Sequence, residues 1–452
     1  MSLPSVNIGS LLSAAGSSSG GIDVNSTVAQ LIAVERAPER QWQQQQATLQ
    51  IQTASINALS SLVSTLEDKL NALKDPVGAF TARTAASSQS NIATAAVAAG
   101  AAAGNHVVVV NSLATTGSWY TNAVASGTTP LAAGSFILQV GTGPATTITV
   151  GSGVNTLNDL AASINGQNLG VTASVVNDAT GSRLALISKN SGTAGDFTVS
   201  NAAGLTFTRA TTGANASLTV DGIPINSTSN TVSGALTGVT LNLTSASPGT
   251  EVNISVVNDT DQISQAVSDF VDAYNATITS VNSQFTFNQS SQTAGPLAGD
   301  TAVRLLQSSL LGIGTYSSTG TGDISTLGGV GISFNNDGTL SLDASKLNNA
   351  IQSDYDSVQA FLQGTASNGF AAFMVNQLDT FSNPVSGAFT VDLKSISQET
   401  SDLQDQIDDF EVYISNETTR LTAVYNKVDI ILQQLPILQK QIDAQLGQSG
   451  SK

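Results

Sequence analysis

Apolar side chains recur along the two ends of the chain at alternating steps of three and four residues, and along its middle at steps of two. At the first end the stepping runs from Val28 through Leu31, Glu35, Pro38, Trp42, Gln45, Leu49, Gln52, Ile56, Leu59, Val63, Leu66, Leu70 and Leu73. It is apolar at all but Glu35, Pro38, Gln45 and Gln52. A period of about 3.5 residues draws one narrow stripe down a helix, as a coiled-coil seam requires. Asp23, Asn25 and Ser26 are candidate N-caps. Pro38 supplies no backbone donor and is expected to divide the segment into two helices. Asp75-Pro76 with Gly78 ends it.

The other end carries the same stepping from Leu393 through Ile396, Thr400, Leu403, Ile407, Phe410, Ile414, Glu417, Leu421, Val424, Val428, Ile431, Leu435, Leu438 and Ile442, broken only by Thr400 and Glu417. Acidic residues crowd its first half (Glu399, Asp402, Asp405, Asp408, Asp409, Glu411), and Arg420, Lys427 and Lys440 follow. That polarity complements the helix macrodipole. The acidic run reads as a solvated face, or more sharply as a docking site for a basic partner. Pro436 is expected to kink or end the last helix.

A lone apolar stripe does not stay wet, since burying one Leu or Ile is worth roughly 1.5–3 kcal/mol. The two ends are therefore expected to pair with each other and then with neighbouring molecules. The residues expected to carry that assembly are Val28, Leu31, Leu49, Ile56, Leu59, Val63, Leu66 and Leu70 at one end, and Leu403, Ile407, Phe410, Ile414, Leu421, Val424, Val428, Ile431, Leu435 and Leu438 at the other.

Between the ends, residues 81–258 alternate with period two between Gly, Asn and Asp turns, the pattern of half-buried antiparallel strands. Phe136–Val140 and Ala145–Val150 flank Gly141–Pro144, and Leu218–Val220 precedes Asp221-Gly222. Val239, Leu241 and Leu243 alternate with polar residues, as do Val252, Ile254 and Val256. One short helix, Thr156–Ile164, interrupts the strands. Ile263, Val267, Phe270, Val271, Tyr274, Ile278 and Val281 then mark a helix capped near Asp261, and Asp300 caps another through Leu311. Ile332–Phe334 and Leu340–Leu342 flank Asp337-Gly338, a strong hairpin signal. Asp343 caps the next helix, and Phe361, Phe370, Phe373 and Leu378 belong to a helical core.

The expected fold is therefore α+β and multidomain: paired terminal coiled-coil helices and a helical domain with a β-hairpin, with antiparallel β-rich segments inserted between them.

Composition sharpens this picture. A chain of 452 residues holds about three domains at roughly 100–200 residues each. Aromatics make up 5% and charged residues 10%, the latter far below the ~25% of an average soluble domain. A polar but weakly charged surface packs against copies of itself without strong repulsion. The net charge of −17 argues against nucleic acid and against anionic membrane surfaces. No stretch approaches the ~20 apolar residues of a membrane span. The absence of Cys rules out disulfides, Cys-based zinc and thiol chemistry. Met1–Gly21 lacks the basic and apolar regions of a secretory signal, so an exported chain would be expected to leave without a cleaved leader.

Catalytic constellations are not expected. His106, the one histidine, directly precedes Val107–Val110, and reads as a strand residue rather than as part of a triad. With no Cys, a zinc site would rest mostly on carboxylates. Gly141-Thr142-Gly143-Pro144 lacks the third glycine of a dinucleotide fingerprint. The Asn335–Asp343 segment fails as a calcium loop, because Ser333 and Ala344 stand where acidic ligands belong. No cofactor and no enzymatic activity are expected.

Gly21–Pro38 resembles the N-terminal signature of bacterial flagellar filament cap proteins, the hook-associated protein 2 family. Asn155–Asn165 is similar to a short repeat shared by flagellins and cap proteins. Leu218–Gly222, Ser229–Val232, Leu236–Leu241, Phe270–Asn275, Gly295–Asp300 and the hairpin Gly331–Leu342 continue the resemblance in order along nearly the whole chain.

The resemblance implies two β head domains, 81–115 with 216–258 and an inserted 116–215. It also implies a helical domain over 43–80 and 259–414, and a coiled-coil leg over 1–42 and 415–452. It implies export through the flagellar type III pathway and a ring-like homo-oligomer, secreted and sited at the filament tip. There the oligomer would prevent flagellin leakage and promote flagellin polymerisation. The partners implied are flagellin, hook–filament junction proteins, an export chaperone at the C-terminal helix and, for the head, host glycans. A flagellin or junction protein is the competing reading, separated by the Asp23–Pro38 signature. A glycan-binding adhesin is a third, with Trp119-Tyr120 as its only aromatic hint, although core or turn packing also explains that pair.

Overall fold

The computed structural model describes residues 22–200, 204–287, 289, 293–318, 322–364 and 368–449. Gly21, which opens the Gly21–Pro38 signature, and the leaderless reading of Met1–Gly21 lie outside the described residues.

The helices, in chain order, are α1 (Val24–Glu35), α2 (Ala37–Lys74), α3 (Leu157–Gly166), α4 (Thr260–Phe285), α5 (Thr301–Gly312), α6 (Ala344–Ser353), α7 (Tyr355–Leu362), α8 (Phe370–Ser382) and α9 (Ala388–Ser449). Their starts follow the capping chemistry of the sequence, in which a short polar side chain accepts from an otherwise orphaned N–H. Asp23 accepts from the Ser26 N–H at 3.1 Å, and Asp300 from the Val303 N–H at 3.0 Å. Asp343 accepts from the Lys346 N–H at 2.9 Å. For α4 the cap is Asp259, which accepts from the Gln262 N–H at 3.1 Å, and not Asp261. The helix starts at Thr260 directly after the strand Val252–Asn258. Asp261 therefore already lies inside the first turn, where its charge faces the positive end of the dipole.

The described residues divide into two compact units, one drawn from 22–71, 268–350 and 356–449, the other from Ala72–Val267 with Ile351–Tyr355.

The second unit is β-rich and holds two separate cores. One lies between a five-stranded and a three-stranded antiparallel sheet. In the larger, Gly104–Ser112 sits between Val252–Asn258 and Ala216–Val220, with Arg83–Ser87 and Ile223–Ser227 at the edges. The smaller orders Thr231–Leu236, Val239–Leu243 and Ala93–Val97. Alternation dictates the core: Val252, Ile254 and Val256 point in, together with Val108, Val110, Leu218, Val220 and Leu241. The Asp221-Gly222 turn joining two of these strands has positive φ at both residues, 52° and 81°, as a tight hairpin demands.

The other core lies between the four-stranded sheet Phe207–Thr211, Ser118–Thr121, Gly181–Ser188, Val171–Asp178 and the three-stranded sheet Thr146–Val150, Gly134–Val140, Phe197–Ser200. Helix α3 contributes Leu157, Leu160 and Ile164 to it.

The first unit is helical. Ile56, Leu59, Val63, Leu66 and Leu70 of α2 are fully buried, as are Phe270, Tyr274, Ile278 and Val281 of α4. Leu306, Leu310, Val358, Leu362, Phe370 and Leu378 join them in burial. Phe361 stacks on Phe370 with ring centroids 5.9 Å apart, and Phe270 meets Phe370 edge-on at 5.5 Å. The hairpin Ile332–Phe334/Leu340–Leu342 forms as expected. The Tyr274 hydroxyl donates to the carbonyls of Leu310 and Gly338, each at 3.1 Å, tying α4 to α5 and to that hairpin.

Pro436 does not end α9, which runs through it to Ser449. The carbonyl four residues earlier, on Leu432, loses its helical donor. The helix nonetheless continues, against the cost of about 3 kcal/mol that a proline carries in a helix interior.

Candidate functional site

The two ends of the chain pair. Helices α1 and α9 run antiparallel: the Ile22 N–H donates to Asp429 at 2.8 Å, while Arg36 at the far end of α1 meets Glu411. Val28, Ile32 and Ile414 are the buried residues of this contact, with Val24, Phe410, Leu421 and Tyr425 packed around them. Beyond the break, Trp42 meets Phe410 edge-on at 5.4 Å, and Gln46 donates to Gln404 at 3.2 Å.

Sequence periodicity misses a change of register here. The chain leaves the helix at Arg36 and resumes at Ala37, with Pro38 in the first turn of α2, where a missing N–H costs little. Within α1 burial steps by four from Val28, so Ile32 is buried while Leu31 is only half-buried, and past the break Glu39 is buried where the stepping points to Pro38. Glu39 tolerates burial because Arg36 Nη1 donates to it at 2.6 Å. The same guanidinium forks onto both oxygens of Glu411, at 2.6 and 2.7 Å. The hydrogen bonds from Arg36 hold the Glu411 carboxyl below its usual range. Next to this fork, the Tyr413 hydroxyl donates to Glu35 at 2.8 Å, and that bond pushes the Tyr413 pKa up.

The expected stripe residues therefore fall into three groups. Leu49, Ile56, Leu59, Val63, Leu66 and Leu70 are buried in the chain's own helical core, as are Leu403 and Ile407 along α9. Val28 and Ile414 are buried in the paired ends, where Leu31, Phe410 and Leu421 are half-buried. Val424, Val428, Ile431, Leu435 and Leu438 are uncovered: Ile414 is 2% exposed, but Ile431 is 59%, Leu435 53% and Leu438 54%. A row of large apolar residues at seam spacing on one side of a helix is a ready surface for another apolar helix.

The remaining candidates resolve into structure. His106 lies on the strand Gly104–Ser112, and its Nδ1 sits 2.8 Å from Asp221 Oδ2. Asp221 also accepts from the Val107 N–H at 2.8 Å. His106 thus braces a hairpin turn. Trp119 points inward, its indole N–H donating to the Phe197 carbonyl at 3.0 Å, while Tyr120 points outward. Asp337 accepts from both the N–H and the hydroxyl of Thr339, closing the hairpin turn of the failed calcium motif. Among the described residues, no cluster of three or more His, Cys, Asp or Glu is placed to hold a metal. No described helix is long and apolar enough to cross a membrane.

Three family models match the chain: the flagellar hook-associated protein 2 N-terminus over residues 20–117, its C-terminus over 213–436, and the flagellin hook IN motif over 135–190. The A-type flagellar hook-associated protein 2 of Pseudomonas aeruginosa is 30% identical over 382 residues, spanning 76% of this chain and 79% of that protein. The corresponding protein of Aeromonas caviae is 28% identical and spans 95% of this chain and 98% of its own. Among solved structures, the D1-D2-D3 domains of the flagellar cap protein FliD from Escherichia coli superpose with a TM-score of 0.58 at 26% identity. That match covers 76% of this chain and 99% of that one. The family is structural, not enzymatic, and the α+β architecture of helices with inserted antiparallel sheets matches that of the Escherichia coli structure. The chain belongs to the flagellar hook-associated protein 2 family.

Proposed function

We propose that this chain is the cap at the distal end of the bacterial flagellar filament. It acts there as a closed homo-oligomer outside the cell that keeps flagellin from leaking and promotes its polymerisation. The observation that carries this reading is the uncovered seam Val424–Leu438 continuing from a paired stub of α1 and α9. Such a seam lowers its free energy only by joining another apolar surface. Family membership supports the role, since the Escherichia coli relative is a flagellar cap protein.

In this reading residues 1–42 and 415–452 form the leg, and 43–80 with 259–414 the helical domain. Residues 81–115 with 216–258 form one head domain, and 116–215 the other. The last part of α9 is also the surface an export chaperone would cover before assembly. Hook–filament junction proteins are the neighbours on which the first ring would sit. Should the head bind host glycans, Tyr120 is the aromatic available to do so, because Trp119 faces inward.

The test pairs electron microscopy with complementation. The purified full chain should form closed particles of fixed size. In a strain lacking its own cap it should restore motility and remove flagellin from the medium. Open-ended tubes would favour a flagellin or junction protein, and a monomer at every concentration would reject assembly altogether.

A further inference from the structure

Helix α1 is held to α9 by a small apolar cluster and a few polar contacts. Its contact buries Val28, Ile32 and Ile414, whereas α2 alone buries Ile56, Leu59, Val63, Leu66 and Leu70 to 0% exposure. Because stabilisation grows with the apolar surface buried, α2 is the far better anchored of the two consecutive helices. Between them the chain breaks at Arg36, and Pro38 offers no N–H to the turn before it. The polar grip gathers at this break. Arg36 forks onto Glu411 and reaches Glu39, Tyr413 donates to Glu35, and Arg40 donates to the Ala33 carbonyl at 3.0 Å.

We infer that α1 is a releasable latch: it lifts from α9 as a unit about the Arg36–Pro38 joint, and the Arg36–Glu411 fork sets how often it opens, while α2 stays in place. The arrangement favours local release over whole-unit unfolding. Segments with few buried apolar contacts open at lower free energy than the core they flank. A partly exposed bidentate ion pair holds such a segment weakly and in a salt-sensitive way. Release uncovers Ile414 and Leu421 in line with Val424 and Val428, while Phe410 keeps Trp42 of α2 against it. It thereby lengthens the apolar seam on α9 toward that helix's N-terminal half. The latch thus makes seam length adjustable, and it stands on this geometry whether or not the chain caps a filament.

Hydrogen exchange read by mass spectrometry on the full chain tests this. Glu411→Gln removes the fork but leaves Arg36 paired with Glu39, and the double variant Arg36→Gln/Glu411→Gln removes both partners. Exchange across residues 24–35 should quicken by about three- to tenfold in Glu411→Gln, the range for losing a half-exposed bidentate pair. The double variant should quicken it further, because it also strips buried Glu39 of its Arg36 partner. About 1 M NaCl should quicken the same stretch in the parent chain and have little effect on the double variant. Residues 49–70 should be unchanged throughout. Equal acceleration in 49–70 would mean a general loss of stability, and unchanged exchange across 24–35 in Glu411→Gln would mean the fork controls nothing. Either result overturns the latch.

Discussion

Asn275 treats Leu340 as a strand neighbour would: its side-chain amide donates to the Leu340 carbonyl at 2.8 Å, and its side-chain oxygen accepts from the Leu340 N–H at 2.6 Å. The amide mimics a peptide group and closes the edge of the hairpin from a helix. Asn230 does the same to Ala114, at 2.7 and 3.0 Å, and Asn165 to Ala173, at 2.8 Å twice. Asp and Asn differ only in the donor half of this pair. Asn275→Asp should therefore set two acceptors against the Leu340 carbonyl and cost about 1–3 kcal/mol. Asn275→Ala should cost about 1 kcal/mol or somewhat more, since both backbone groups lose their partner. Urea unfolding followed by circular dichroism checks both, and equal stability of Asn275→Asp and the parent would show the pairing to be unimportant.

The same side-chain type should behave in opposite ways along one apolar stripe. Leu66→Ala opens a cavity in the helical core and should cost about 2–5 kcal/mol. Leu435→Ser, on the uncovered part of α9, should stay within about 0.5 kcal/mol in the monomer. Combined with Val428→Ser, Ile431→Ser and Leu438→Ser, it should abolish self-association. Light scattering after size-exclusion chromatography separates the two effects, stability from assembly.

Asp392 carries a built-in penalty. Its Oδ2 is buried without a hydrogen-bond partner. Burial first, and then the nearby Asp300 carboxylate, push its pKa above the usual value. The native state thus holds this proton more tightly than the unfolded chain does. The contribution to stability is largest in acid, below the ordinary carboxylate range, and is lost as pH rises through the raised native value. Asp392→Asn should be more stable than the parent at about pH 7 and close to it at about pH 3, where both side chains are neutral. Matching differences at the two pH values would refute this assignment.

Asp221 gives the opposite slope. Hydrogen bonds from His106 and then from the Val107 N–H lower its pKa. Its contribution is present above the ordinary carboxylate value and is lost as pH falls through the lowered one. Asp221→Asn should therefore flatten the acid limb of the unfolding profile that reports on the β-rich unit. An unaltered acid limb would show that the His106–Asp221 pair carries no linkage.

Periodic burial is legible in the sequence, and partner choice is not. Spacing identifies the buried positions where a helix faces one core, as at Ile56, Leu59 and Val63, because 3.5-residue stepping and burial then coincide. It fails at Leu31 and Ile32, both in the unbroken helix Val24–Glu35, since spacing alone does not say whether the step of three or of four from Val28 faces the partner helix. Caps at Asp23, Asp300 and Asp343 are legible from local chemistry. At α4 two aspartates stand two positions apart, and composition alone does not choose Asp259 over Asp261; the end of the preceding strand does. The Arg36–Glu411 fork leaves no sequence signal. It joins residues 375 apart in the chain, and only the antiparallel register of α1 on α9 brings them together. The uncovered seam is visible as a stripe, but not which part of the stripe the chain covers for itself.

Pro436 gives α9 a soft point near its end. From there to Ser449 the helix extends about 20 Å at 1.5 Å per residue. A bend of about 20° at a proline displaces that tip sideways by about 7 Å, comparable to the distance between the axes of touching helices. With such a bend the end of the rod acts as a short lever. A neighbour that arrives misaligned by several ångströms would then still lie within its reach.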